Sequence, residues 1–98
     1  MQVVDSLQLG GMESVAVNYA NELSRRGFKS CLCPTRAPGP LQERLVGTLP
    51  HLDLRRRGRV DLAALRRMVA YIKKNRVDIL HAHGTAIFFS ALARFSNI

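Results

Sequence analysis

Two adjacent glycines lie where a short apolar run gives way to a helical pattern, in "VDSLQLGGMESVAV" (residues 4–17). Because Gly10 and Gly11 have no side chains, the backbone could come close to a diphosphate there, and the free amides and dipole of the following helix would favour an anion. The pair could instead do no more than turn the chain tightly between strand and helix. Neither the GxGxxG fingerprint nor the GK[ST] phosphate loop is present, so spacing alone leaves both interpretations open.

Two histidines lie two residues apart in "VDILHAHGT" (residues 77–85). On a strand, His81 and His83 would share a face, with His83 nearer the carboxyl end. Two histidines could bind zinc, but no third or fourth ligand stands at a useful spacing, so we expect no metal site. For His81 we expect the ordinary role of a partly buried, hydrogen-bonded side chain.

Strands that alternate with helices are predicted to position these residues. The apolar period predicts a helix over 12–26 that ends at a left-handed Gly27, and a second long helix that Asp61 caps. Strands are predicted at 1–7, 28–35, 51–54 and 77–83, with a helical turn at 41–45 and a last helix at 84–97. The predicted inward faces of the two long helices are Met12, Val15, Ala16, Tyr19, Ala20 and Leu23, and Leu62, Leu65, Met68, Val69 and Ile72.

This alternation indicates an α/β fold with a parallel sheet and right-handed crossovers. The expected order of the strands across the sheet is third, second, first, fourth. The loop after the first strand then opens at the carboxyl edge, where ligands usually bind in such sheets.

The chain is strongly basic, with 15 Lys and Arg against 7 Asp and Glu and a net charge of +8. Its 98 residues suffice for one domain, and the charge favours acidic partners such as nucleotides, anionic lipid or nucleic acid. The cluster "LRRRGR" (residues 54–59) could be a solvated loop or rest on an anionic membrane. No aromatic residue interleaves its arginines, which disfavours nucleic acid.

Cellular location is predicted from three features. Cys31 and Cys33 are interpreted as small core residues rather than a disulfide framework, which fits a reducing compartment. No apolar run is as long as a spanning helix, and the first residues lack the pattern of a signal peptide. We therefore expect a cytoplasmic protein, with peripheral binding at the inner membrane face as an open alternative.

Two longer stretches resemble family 4 of the retaining glycosyltransferases. "VVDSLQLGGMESVAVNYANELSRRGFKSCLC" is similar to the family's opening strand, its "GG-apolar-E" corner and a helix that ends "L..RGH.V". "NRVDILHAHGT" is similar to the family's "PD(I/V)(V/L)H.H" strand and loop. The resemblance implies the amino-terminal domain of a GT-B enzyme: a Rossmann-like parallel sheet with helices on both faces, which holds the acceptor across a cleft from a nucleotide-sugar domain.

The resemblance also implies roles for particular residues. Gly10, Gly11 and Met12 would form the loop that approaches the donor diphosphate, with Met12 offering its backbone N–H. Glu13 matches the family's acidic position at the helix start, where capping of the helix is an equal alternative. The group His83, Gly84 and Thr85 is the candidate contact with the acceptor or a phosphate.

Residues 1–98 are expected to form a single, incomplete domain of this kind, without a complete set of catalytic residues and inactive alone. The expected reaction of the family is transfer of a sugar from a nucleotide-diphosphate donor to a cell-envelope or lipid-linked acceptor. No cofactor is expected, and donor and acceptor would bind only if a second domain completed the cleft. The alternative is a noncatalytic basic module that binds phosphate-bearing ligands, anionic membrane or nucleic acid.

An uncovered edge also predicts self-association. The fourth strand (residues 77–82) would lie at the edge of the sheet, and apolar edges tend to pair with another chain. The last helix would expose apolar side chains for the same reason. We therefore expect a pair of chains joined edge to edge or by an exchanged last helix. The helix residues expected to have too little to pack against within one chain are Ile87, Phe88, Phe89, Leu92 and Phe95.

Overall fold

A small parallel sheet with helices on both faces forms the framework, as predicted. The computed structural model describes residues 1–95. Its elements are β1 (Gln2–Ser6), α1 (Gly11–Arg25), β2 (Leu32–Ala37), a 3-10 helix (Pro40–Arg44), α2 (Leu62–Lys74), β3 (His81–Ala82) and α3 (Ala86–Phe95). The strand order is β2-β1-β3, and both pairs are parallel. All three strands therefore end at one edge, which we call the carboxyl edge.

The predicted third strand is in the expected place but is hardly a strand. Residues 50–56 run beside β2, where the amide of Leu32 donates to Pro50 O (3.1 Å) and the amide of Leu52 donates to Leu32 O (2.9 Å). Only one isolated bridge, between Leu32 and His51, forms there. The segment thus occupies the outer position of the predicted order without a regular ladder.

The predicted fourth strand is much shorter than residues 77–83. Only His81–Ala82 pairs with β1. The amide of Val77 donates to Ile72 O (3.0 Å) and so closes the end of α2 rather than joining the sheet. Arg76 makes this turn possible by adopting a left-handed conformation (φ 52°).

Two apolar cores form, one on each face of the sheet. Val3 and Cys33 face α2 and α3, whereas Val4 and Leu32 face α1. This division follows from the alternation of side chains along a strand. Cys31 and Cys33 are both buried and free, which confirms their interpretation as core residues, and burial raises the pKa of the Cys33 thiol.

The helix α1 is rotated relative to its predicted face. Ala16 and Ala20 are buried as expected, but Met12, Val15 and Tyr19 are about half exposed. The buried face instead includes Val17 and Asn21. The Asn21 side chain holds the loop after the 3-10 helix, because its Nδ2 donates to Arg44 O (2.8 Å) and its Oδ1 accepts from the Val46 amide (2.9 Å).

The ends of the long helices agree with the sequence signals. Gly27 takes the left-handed conformation (φ 87°) after α1, and Asp61 Oδ1 accepts a hydrogen bond from the Ala64 amide (3.1 Å) at the start of α2. Leu65, Met68 and Val69 are buried as predicted. Leu62, however, is mostly exposed, so the inward face of α2 begins one turn later.

An exposed apolar surface lies along α3 and the segment that leads into β3, and we call it the flank of β3 and α3. Ile79, Ile87 and Phe95 are exposed by 71%, 59% and 80%. Beside them, Ser90 Oγ is buried and has no hydrogen-bond partner among the described residues. The last two predicted residues of α3, 96 and 97, lie outside the described residues. Within residues 1–95, no helix combines the length and hydropathy needed to cross a membrane.

Candidate functional site

The glycine loop lies at the carboxyl edge, where the sequence places it. β1 ends at Ser6 and α1 begins at Gly11, so residues 7–10 leave the end of the central strand. Gly11 is exposed, and a Cβ added there would meet no described atom within 4 Å. The diglycine corner is therefore open to a ligand and is not buried beneath neighbouring groups.

The first turn of α1 has no side-chain cap among the described residues. Gly10 has extended backbone angles (φ −176°, ψ 163°), and the first helical hydrogen bond runs from the Ser14 amide to Gly10 O (3.0 Å). The amides of Gly11, Met12 and Glu13 precede that bond and point out of the helix end. Together with the helix dipole, they form a site suited to an anion.

Glu13 bends back over this corner. Its carboxylate lies where a Cβ on Gly10 would stand, so any side chain at position 10 would displace it. A glutamate at the third position of a helix is well placed to interact with the helix start. The same carboxylate is a negative charge that an incoming phosphate would meet.

A second loop meets the glycine loop through Met12. Gly84 is left-handed (φ 61°), and a Cβ added to it would stand 2.5 Å from Met12 Sδ. No side chain larger than hydrogen fits between them without movement. Residues 83–85 and the start of α1 therefore form two walls of one corner.

The ring of His83 lies beneath this corner rather than at its surface. Its Nε2 donates to Gln2 Oε1 (2.7 Å) on the face covered by α1. Burial, and after it the nearby His81, lower the pKa of His83, so the ring is neutral at pH 7. The two histidine rings share a face as predicted, with centroids 4.3 Å apart. The prediction of a partly buried His81 is wrong, because His81 is exposed beside Tyr19 and His83 is the buried one.

A polar network at the same edge was not predicted from the sequence. Asp5 Oδ1 accepts from Thr35 Oγ1 (2.7 Å) and from Arg56 Nη2 (3.0 Å), and Asp5 Oδ2 accepts from Thr85 Oγ1. Burial alone would raise the pKa of Asp5. Hydrogen bonds from Thr85, Thr35 and Arg56, with the Arg56 charge, bring it below its ordinary value instead.

Arg56 overturns the simple interpretation of the basic cluster. Its side chain is only 4% exposed, whereas that of its neighbour Arg55 is 72% exposed. The cluster is thus not a uniformly solvated loop. The sequence gives one sign of this burial, because Asp5 stands inside the apolar strand "QVVDS". A carboxylate that is buried there needs a polar or charged partner.

Across residues 1–95, no three His, Cys, Asp or Glu side chains lie close enough together to hold a metal ion. What the site presents is a set of backbone amides at the open end of α1, a second loop against it, and a polar network behind both.

A parallel sheet with helices on both faces and an uncapped helix start at its carboxyl edge belongs to the broad class of Rossmann-like folds. The family model described as Glycosyltransferase Family 4 matches residues 9–98. The chain therefore belongs to glycosyltransferase family 4. Neither the search of curated proteins nor that of solved structures gave a significant match.

Proposed function

We propose that the chain is the acceptor-side domain of a retaining GT-B glycosyltransferase, which transfers a sugar from a nucleotide-diphosphate donor. Membership of the family supports the reaction class. The observation that carries the proposal is the uncapped, exposed start of α1 at the carboxyl edge. Oriented amides of this kind bind phosphate oxygens without any cationic side chain.

The proposed roles follow the geometry of the corner. Gly10 and Gly11 let the donor diphosphate approach, and the amides of Gly11 and Met12 donate to its oxygens. When the bond between sugar and phosphate breaks, negative charge grows on the diphosphate, and fixed N–H dipoles stabilise it. Residues 83–85 form the opposite wall and contact the acceptor or a phosphate through their backbone, since the His83 ring is held by Gln2.

Calorimetry with UDP-glucose and GDP-mannose tests this proposal. Gly11→Val fills the open space in front of the loop and needs no change elsewhere in the fold. Because this chain supplies only the diphosphate-binding corner and not the second domain of the cleft, we expect weak but saturable binding of one donor by the wild type and its loss in this variant. Gly47→Val is the matched control, because Gly47 is also exposed with open space around it but lies in the loop after the 3-10 helix, which Asn21 holds, rather than at the start of α1.

Three other results would contradict the donor-binding proposal. Equal loss in both valine variants, or binding that only follows ionic strength, would point to the general basic surface and contradict the proposal. Absence of saturable binding by the wild type would refute the role of the glycine loop in donor recognition by this chain.

A lipid-linked acceptor at an anionic membrane is the acceptor class we propose. Exposed Arg57 and Arg59 lie beside exposed Val60, and the Arg59 guanidinium lies 4.7 Å from the centroid of the Phe88 ring. Basic and apolar groups together favour the surface of an anionic bilayer. Co-sedimentation with phosphatidylglycerol vesicles but not phosphatidylcholine vesicles is expected, and equal behaviour with both would contradict this acceptor class.

Self-association through the flank of β3 and α3 is also proposed. The exposed Ile79, Ile87 and Phe95 and the unpartnered Ser90 hydroxyl support a second copy that covers this flank. Light scattering should report an average mass above that of one chain as concentration rises. A monomer at high concentration would refute this proposal and leave the donor-binding proposal untouched.

A further inference from the structure

The corner formed by residues 83–85 is held from both faces of the sheet. On the α1 face, His83 Nε2 donates to Gln2 Oε1 (2.7 Å). On the α3 face, Thr85 Oγ1 donates to Asp5 Oδ2. Between these two anchors, Gly84 packs against the side chain of Met12. The place of this corner relative to α1 therefore depends on what fixes Asp5 and Gln2.

Asp5 is fixed by a closed set of hydrogen bonds. Thr35 Oγ1 donates to Asp5 Oδ1 (2.7 Å) and accepts from Arg56 Nε (2.9 Å), so both of its capacities are used. Arg56 adds a bond from Nη2 to Asp5 (3.0 Å) and one from Nη1 to Gly58 O (2.7 Å). These residues come from β1, β2 and the loop after residue 54.

Arg56 also reaches the helix that follows the corner. Its guanidinium lies 5.4 Å from the centroid of the Phe89 ring on α3. Its own amide donates to Thr35 O (2.7 Å), which fixes the backbone from which it extends. One buried arginine thus links the outer strand position, the central strand and the first turns of α3.

A buried ion pair is weak evidence for stability, because removing two charges from water offsets most of their attraction. Its better-attested use is to specify one arrangement among several. Here the arrangement concerns the two loops of the candidate site, and the only member of the network that the site exposes is Thr85.

We propose that Asp5 and Arg56 are positioning residues, which hold Thr85 and so set the distance between residues 83–85 and the open amides of α1. This inference rests on the proposed function for its consequence, namely tighter binding of the donor diphosphate. The geometric part concerns only the chain itself. The two parts can be measured separately.

Thr85→Val is the decisive variant. It keeps the shape of an exposed side chain and removes only the hydroxyl that Asp5 accepts, so folding should be preserved. We expect the amide resonances of Gly84 and Met12 to move in a two-dimensional NMR spectrum and the affinity for UDP to fall about tenfold, because binding would then have to order the corner that the Thr85 hydroxyl holds in the wild type. Thr85→Ser, which keeps the hydroxyl, should restore both.

Arg56→Gln tests the same hydrogen-bond network at a buried residue that is not part of the candidate site, with Arg55→Gln as the matched control. Arg55 is the neighbouring residue, and it is exposed and paired with Asp53 at the surface (3.0 Å). Arg56→Gln should move the same two resonances as Thr85→Val, and Arg55→Gln should move neither. If Arg56→Gln does not fold, the comparison of Thr85→Val with Thr85→Ser decides alone.

Each outcome tests either the positioning of residues 83–85 or the effect of that positioning on donor binding. Unchanged Gly84 and Met12 resonances in Thr85→Val would overturn the positioning role. Moved resonances with an unchanged affinity for UDP would overturn its consequence for the donor. If the wild type does not bind UDP at all, the proposed function fails, whereas the resonances still decide whether the network sets the corner.

Discussion

The two long helices of this chain begin in opposite ways. At the start of α2, Asp61 Oδ1 accepts from the Ala64 amide (3.1 Å), and its Oδ2 accepts from the Arg57 amide (2.9 Å). At the start of α1, Gly10 offers no side chain, and the first amides remain open. The chain therefore satisfies one helix start by itself and leaves the other to solvent or a ligand. An uncapped helix start costs stability, because its amides lack a partner within the chain. The start of α1, which is uncapped and lies at the carboxyl edge, is therefore the better candidate for function.

The largest expected effect concerns Gly39, which packs against the loop that leads to the open start of α1. A Cβ on Gly39 would overlap the carbonyl of Leu7 and the amide of Gln8, which are backbone atoms that cannot swing aside. Gly39→Ala should lower the free energy of unfolding by about 2 kcal/mol, as overpacked sites do. Urea denaturation measures it, with Gly47→Ala as the control in open space. Equal stability of the two variants would show that Gly39 does not pack tightly against the backbone of Leu7 and Gln8.

The next effect concerns the capped start. Asp61→Ala removes the partner of two amides and should lower Tm by about 5 °C. The amides of Arg57 and Ala64 hold the pKa of Asp61 below 3.8, its ordinary value. Its contribution is therefore present above pH 3.8 and is lost as the pH falls through the lower, folded-state pKa.

The pH dependence provides the check on that cap. The difference in Tm between wild type and Asp61→Ala should be constant near neutral pH and should shrink below pH 3.8. Asp5 loses its own contribution in the same acid range, but it does so in both proteins. A difference that stayed constant at low pH would mean that the Asp61 carboxylate does not cap α2.

Converting the open start into a capped one should have a smaller effect on stability. The extended backbone of Gly10 is available to any residue, and a side chain there needs only to push aside the end of the flexible Glu13 side chain. Gly10→Ser should stabilise α1 by a few tenths of a kcal/mol, because Ser exceeds Gly only slightly as a cap. It should also weaken the binding of pyrophosphate, since the hydroxyl takes an amide. Thermal melts and calorimetry measure the two quantities, and a gain in both would contradict the account.

The smallest effect concerns charge at the open start. Glu13→Gln removes the carboxylate that lies over Gly10 and should strengthen pyrophosphate binding about threefold at low salt, with less effect at high salt. Glu43→Gln is the control, because Glu43 is exposed in the 3-10 helix. Weaker binding in Glu13→Gln would contradict this expectation, because it would mean that the carboxylate does not repel the ligand.

Local signals were predictable from the sequence. The α/β class, the first two strands, the left-handed Gly27 and the Asp61 cap all depend on residues close together in the chain. The rotation of α1 was not predictable, since it depends on Asn21 reaching a loop more than twenty residues later. The neighbouring charges in "LRRRGR" indicate that Arg56 is solvated or faces a membrane. Its buried position depends instead on Asp5, which lies 51 residues earlier in the chain. The missing information in each case is a polar contact between residues far apart in the chain.

Two-dimensional NMR during a titration with pyrophosphate tests the central claim most directly. The account predicts that the amides of Gly11 and Met12 shift and saturate together with that of Gly84, while those of Leu62 and Ala63 at the capped start of α2 stay in place. Shifts at the start of α2, or shifts spread over the exposed arginines without saturation, would contradict it.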